Sequence, residues 1–112
     1  MSIKTKNIKD ISIITVDVDR ATTIVAESFR NSVKFEIASE STKFIFNLSS
    51  CEFIDSTFLS ALVTSYKRIA ENDGTLIIVG LKPAVKSMFQ LTRLDKIFDI
   101  HTKEEEALSS LA

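Results

Sequence analysis

Two short, nearly unbroken apolar runs, Phe44-Ile45-Phe46-Asn47-Leu48 and Leu76-Ile77-Ile78-Val79, dominate the middle of the chain. Runs of this length without polar alternation are expected of interior parallel strands that are covered on both faces. Parallel neighbours need a crossover between them, because a tight hairpin can only join antiparallel strands. The intervening residues supply one: Leu59, Leu62, Val63, Tyr66, Ile69 and Ala70 recur at helical spacing. This pairing of buried runs with a helical spacer restricts the chain to layered α/β architectures.

The remaining segments extend the same pattern. Ile3–Ile8 and Ile11–Val18 carry β-branched, partly alternating residues around Lys9-Asp10, which suits a hairpin with a polar first strand at the sheet edge. From Ala21 the period becomes helical, with Val25, Phe29, Val33 and Ile37 on one face and Asp19, Thr22 and Thr23 available as caps. The helix of the middle segment is expected to end at Asn72-Asp73-Gly74, with Gly74 in the left-handed position. Pro83 marks a first helical residue, and Val85, Met88 and Phe89 give that helix an apolar face. Ile97–Ile100 reads as a last short strand. Thr102 and Glu105 read as a capping box ahead of Ala107, Leu108 and Leu111. The expected order is ββαβαβαβα: a single α/β domain over residues 1–112, with a mainly parallel central sheet, an antiparallel N-terminal edge strand and about four helices.

Charge and cysteine usage exclude several function classes. The formal net charge is −1, and no arginine-rich stripe with interleaved aromatics is present, so direct nucleic-acid binding is not expected. Cys51 is the only cysteine and His101 the only histidine, which leaves no disulfide, no cysteine framework and no histidine pair for a metal. Two glycines cannot build a glycine-rich phosphate loop. No charged-then-apolar leader opens the sequence and no apolar run approaches a membrane span, so the expectation is a cytoplasmic protein without membrane insertion. Cys51 has Glu52 beside it and no cation to activate it, and reads as an inert buried thiol. With no convergent polar pocket legible, no catalytic residue, metal or cofactor is assigned.

The sharpest local feature is the corner Phe53-Ile54-Asp55-Ser56-Thr57-Phe58-Leu59, where an apolar run stops and a helix begins. Unpaired amides and the positive end of the helix dipole favour negative charge there, bound or covalently attached. Asp, Ser and Thr are also the ordinary N-cap residues, and by local chemistry alone capping is the favoured reading. Asp55 and Lys82-Pro83 superficially resemble the phosphoacceptor and Lys-Pro pair of response-regulator receiver domains. That likeness fails because Asp17 and Asp19 flank Val18 instead of forming the adjacent acidic pair that holds magnesium, and because Lys82 follows too early.

A different resemblance covers nearly the whole chain. Phe46-Asn47-Leu48-Ser49-Ser50 followed by Phe53-Ile54-Asp55-Ser56 resembles the strand and phosphorylation loop of the STAS family (sulphate transporter and anti-sigma factor antagonist). Leu91-Thr92-Arg93-Leu94-Asp95-Lys96-Ile97-Phe98 resembles its segment after the third helix, and Asp19 falls where the family has an aspartate before the first helix. The resemblance is specifically to stand-alone bacterial anti-sigma factor antagonists and implies a STAS-like fold. It places the phosphorylated residue at Ser56 and a partner-binding surface at Asp19, Asp55, Thr57, Phe58 and Ser60. It implies two partners: an anti-sigma factor that is also a serine kinase, bound by the unmodified form so that a sigma factor is released, and a PP2C-type phosphatase that resets the cycle. A monomer or weak dimer is expected.

Four positions depart from the family pattern. Phe58 and Ser60 stand where glycines are common, Asn47 replaces a frequent aspartate, and Arg93 stands where glycine is frequent. Phe58 is expected to add a large apolar side chain to the partner surface. A second reading, from another class, is a non-phosphorylated STAS interaction module. It would serve as scaffold or subunit of a signalling or lipid-transport assembly, with Ser56 as a plain helix cap.

Overall fold

The computed structural model describes residues 2–112. A hairpin of β1 (Ile3–Ile8) and β2 (Ile11–Val16) turns at Lys9, which takes a positive φ of 56°. β2 ends two residues earlier than its β-branched run suggests, because the chain leaves the sheet at Asp17 to enter the two-residue strand β3 (Arg20–Ala21). Helix α1 (Thr23–Ala38), β4 (Lys43–Asn47), a second two-residue strand β5 (Phe53–Ile54) and helix α2 (Ser56–Glu71) follow. β6 (Thr75–Val79), α3 (Pro83–Leu91), a 3-10 turn at Leu94–Lys96, β7 (Asp99–His101) and α4 (Glu104–Leu111) complete the chain.

The main sheet runs β1-β2-β4-β6-β7, with β1 antiparallel to β2 and all other neighbours parallel. From β2 onward each crossover steps the same way across the sheet. Right-handed crossovers in one direction put every connecting helix on one face. Residue alternation agrees with this. Ile14, Val16, Phe44, Phe46, Leu76 and Ile78 join Phe29 of α1, Phe58 and Leu62 of α2, and Val85 and Phe89 of α3 in one buried cluster. The alternate residues Ile11, Ile13, Ile45, Ile77 and Val79 meet Ala107 and Leu111 of α4 on the other face. Both faces of β4 and β6 are therefore covered, which explains their unbroken apolar runs.

This winding collects the C-terminal ends of β2, β4, β6 and β7 at one end of the molecule. The N-termini of the crossover helices, and hence the positive ends of their dipoles, lie at that end too. A separate parallel pairing, Arg20 with Phe53 and Ala21 with Ile54, clips the β2–α1 and β4–α2 connections together there. Two-residue strands leave no periodicity in a sequence, so this clip was not foreseen.

Three local expectations are corrected. Asp73, not Gly74, takes the left-handed conformation (φ 58°) after α2. Glycine is needed at 74 for another reason: a Cβ there would lie 2.6 Å from the Ile69 Cγ2 and 2.9 Å from the carbonyl oxygens of Ile69 and Thr42. The box in front of α4 is shifted by one residue. The Glu106 carboxylate accepts from the amides of Thr102 and Lys103, each at 3.2 Å, and Glu105 is exposed. The last strand is Asp99–His101, because the 3-10 turn extends the helical backbone through Ile97 and turns Phe98 into the core.

Arg93 has φ 62°, ψ 17°, a left-handed conformation that disfavours a Cβ. Arg93→Gly is expected to raise stability by about 0.5–1 kcal/mol, the relief of left-handed strain less the extra chain entropy of glycine. Gly74→Ala is expected to lower it by about 1–3 kcal/mol through overpacking against backbone oxygens. Urea unfolding midpoints at unchanged m-value check both.

Candidate functional site

Asp55 is the N-cap of α2, with extended backbone (φ −88°, ψ 174°) and a side-chain Oδ1 that accepts from the Phe58 amide at 2.8 Å. Its carbonyl accepts from the Leu59 amide at 3.0 Å. The capping role is thus filled one residue before Ser56. Ser56 is the first helical residue and is exposed, and its hydroxyl has no partner among the described residues. The amides of Ser56 and Thr57 likewise find no acceptor among those residues. The reading in which Ser56 serves as the helix cap does not hold: a free hydroxyl sits beside two free N–H donors at the positive end of a sixteen-residue helix.

The surrounding loops are held by specific bonds. The Asp19 carbonyl accepts from the amides of Glu52 (2.8 Å) and Phe53 (3.0 Å), and the Ala21 carbonyl accepts from the Asp55 amide (3.1 Å). Asp19 is thereby brought beside the Ser56 corner, with its own side chain exposed. Lys4 and Ser50 hydrogen-bond to Asp17 at 2.9 and 3.1 Å and hold its carboxyl below the ordinary carboxylate value. Lys82 donates to Glu52 at 2.9 Å, which holds its ammonium above the usual lysine value. Asp19 and Asp55 are left without a cation within salt-bridge distance among the described residues.

Thr57 is half-buried, and Ser60 is exposed one helical turn beyond Ser56, on the same face. Phe58 is not part of any surface. It is fully buried, its ring 5.2 Å from that of Phe29, which in turn meets Phe46 edge-on at 4.8 Å. The expectation that Phe58 contacts a partner is therefore corrected. Helical geometry turns residue 58 inward, away from the exposed face shared by Ser56 and Ser60, and its bulk fills the space between α1, α2 and β4.

Two surface features near this corner escaped the sequence reading. The Arg20 guanidinium lies over the Phe53 ring, 4.4 Å from its centroid, and Ile24 in the first turn of α1 is 82% exposed. Ile24 falls outside the stripe of Val25, Phe29, Val33 and Ile37, and that break in phase was the available signal. Cys51 is buried behind the corner. Desolvation pushes its thiol up to about 11, so it stays protonated at neutral pH. His101 ends β7 and contacts Asp99 at 3.1 Å. Among the described residues no cluster of histidine, cysteine and acidic side chains could hold a metal, and no helix is long and apolar enough to cross a membrane.

The family model for the STAS domain matches residues 2–107. The chain belongs to the STAS domain family. Among solved structures, this STAS chain is similar to a putative anti-sigma factor antagonist from Thermotoga maritima, at 26% identity and TM-score 0.87, over 96% of this chain and 92% of that one. It is also similar to an anti-sigma factor antagonist from Mycobacterium paratuberculosis, at 22% identity and TM-score 0.85, over 96% and 91% of the two chains. A third is the phosphorylated form of the Bacillus cell fate determinant SpoIIAA, at 18% identity and TM-score 0.78, over 98% and 99%.

Asp55→Ala removes the cap acceptor and is expected to cost about 0.5–2 kcal/mol, while Asp55→Asn retains most of the stability. Phe58→Ala is expected to cost about 3–5 kcal/mol through the cavity it leaves. Equilibrium denaturation measures both. Cys51 is expected to react with a thiol reagent only as fast as the protein opens.

Proposed function

We propose that this STAS chain is an anti-sigma factor antagonist, a binding protein whose engagement of an anti-sigma factor is gated by phosphorylation of Ser56. The observation that carries the reading is the free, exposed Ser56 hydroxyl at the first position of α2, released from capping by Asp55. The names carried by the similar Thermotoga and Mycobacterium proteins, and the phosphorylated state of the similar Bacillus protein, support it.

In this reading the partner is an anti-sigma factor that is also an ATP-dependent serine kinase. The Ser56 oxygen takes the γ-phosphoryl group as the bond to ADP breaks and the hydroxyl proton leaves. The catalysis belongs to the partner, and this chain supplies the acceptor. The added group carries about −1.5 to −2 charges and three acceptor oxygens. The free amides of Ser56 and Thr57 and the α2 dipole accommodate it without refolding. A partner docked over the corner instead meets a bulky dianion next to the carboxylates of Asp55 and Asp19. Its docking surface comprises Asp19, Asp55, Thr57 and Ser60, with apolar contact from Ile24 and from the Arg20–Phe53 stack. A PP2C-type phosphatase hydrolyses the phosphoester and restores binding.

Incubation with the cognate kinase and ATP is expected to add one phosphate to the wild type, seen as an intact-mass shift, and none to Ser56→Ala. In calorimetric titration Ser56→Ala binds the kinase as tightly as the unmodified protein. Ser56→Asp loses about 3 kcal/mol, more than a hundredfold in affinity. Equal affinity for all three forms would overturn the gate and leave a plain interaction module.

A further inference from the structure

At the opposite end of the sheet, where the parallel strands begin, Glu36 of α1 is 6% exposed. The Ser41 hydroxyl lies 2.6 Å from that of Ser12, which donates to Glu36 Oε1 at 2.8 Å. The Asn7 side-chain amide donates to the same oxygen at 2.9 Å and to the Ser12 hydroxyl at 3.0 Å. With its single proton directed at Glu36, Ser12 is left to accept from Asn7 and Ser41, so Asn7 and Ser12 donate directly to one carboxylate oxygen and Ser41 reaches it through Ser12. Glu36 Oε2 receives no hydrogen bond from the described residues, yet it is not sealed from solvent. Glu36 is among the residues that line a cavity of about 350 Å³.

No cation lies within salt-bridge distance of Glu36 among the described residues. A carboxylate this buried is ordinarily paired, because hydroxyl and amide donors alone do not cancel its charge. Its position sharpens the demand. Glu36 lies in the last turn of α1, at the negative end of the helix dipole, and that turn holds no basic residue. Other groups around the cavity do not pair with it. Asp10 is paired with Lys43 at 3.1 Å, and Lys9, exposed at the rim, makes no salt bridge with any described residue. The ring of Phe35, 68% exposed, forms part of the wall. An exposed aromatic ring beside a fixed carboxylate is the environment that holds an organic cation, through the ring face and the free oxygen together.

We propose that this cavity binds an organic cation, an ammonium or guanidinium group, with Glu36 Oε2 as its acceptor and Phe35 as its aromatic wall. The site is independent of the Ser56 reading, since it lies at the other end of the strands. The group can belong to a free amine or to a lysine or arginine side chain of another protein. The test titrates the full chain with putrescine, with a short arginine- and lysine-bearing peptide, and with diacetylated putrescine as neutral control. The readout is the NMR shift of the Asn7 side-chain amide and the Phe35 ring. The two cationic probes are expected to shift both signals to saturation and the control is not. Tighter binding of the peptide identifies a protein source, and tighter binding of putrescine a free amine. Phe35→Ala, an exposed change that leaves the fold intact, is expected to weaken binding about twofold to fivefold. Glu36→Gln is expected to weaken it at least tenfold. Absence of saturable shifts, an equal response to the neutral control, or unchanged affinity in folded Glu36→Gln would overturn the site.

Discussion

The hydrogen bond from the Phe58 amide to Asp55 Oδ1 joins the core of this protein to its candidate switch. On one side of that bond Phe58 is locked into the aromatic cluster with Phe29 and Phe46, so the first turn of α2 cannot rotate without opening the core. On the other side Asp55 closes the helix and leaves Ser56 with nothing to cap. A serine that caps its own helix must give up a hydrogen bond before it can be modified. Here the neighbouring aspartate removes that cost, and the helix start is held rigid by packing. The position and free state of Ser56 are both consequences of what its neighbours do.

The second constraint is the parallel pairing of β3 with β5. Two residues on each side bring Arg20 and Asp19 to the Ser56 corner and set Arg20 over Phe53. Outside that clip, the Ser50 hydroxyl donates to Asp17 and adds a side-chain tie between the two loops. Charge is arranged unevenly around it. Asp17 and Glu52 are paired with Lys4 and Lys82, while Asp19 and Asp55 have no cation within salt-bridge distance among the described residues. A surface balanced in this way tolerates its present carboxylates but has little left to offset a further dianion facing a partner. If Ser56 is the phosphorylated residue we propose, that asymmetry lets local repulsion, with no change of fold, drive release.

Much of this was legible in the sequence. The unbroken runs around Ile45 and Ile77 report strands covered on both faces, and the spacing from Leu59 to Ile69 reports the helix between them. Strand order and pairing direction follow from these, whereas Ser56 was singled out only by resemblance to a family. What was not legible depends on contacts between distant residues. Nothing local distinguishes Asp55 from Ser56 as the cap, because both residue types serve. The burial of Phe58 was misjudged because its position was compared with a family in which glycine is common, where side-chain direction cannot be read. Helical phase carries that information: 58 leads 62 by one turn, and Leu62 is buried. Gly74 is confined by the Thr42 carbonyl, thirty-two positions earlier in the chain, and no local pattern encodes that approach.

The winding of the sheet also separates two electrostatic environments. Because every crossover runs the same way on one face, helix N-termini gather at one end and their C-termini at the other. The first end suits added negative charge, and it carries Ser56 with two unpaired amides. The second end disfavours it, yet it carries Glu36, buried and bonded only to neutral donors. A carboxylate placed against the dipole in this way costs stability unless something positive completes it. Asn7, Ser12 and Ser41 come from the β1–β2 hairpin and the α1–β4 connection, so the network also pins the polar edge of the sheet to α1. Pinning alone would be served as well by a neutral glutamine. A carboxyl group that lines a cavity and has one oxygen free of hydrogen bonds from the described residues is what a structural role does not account for.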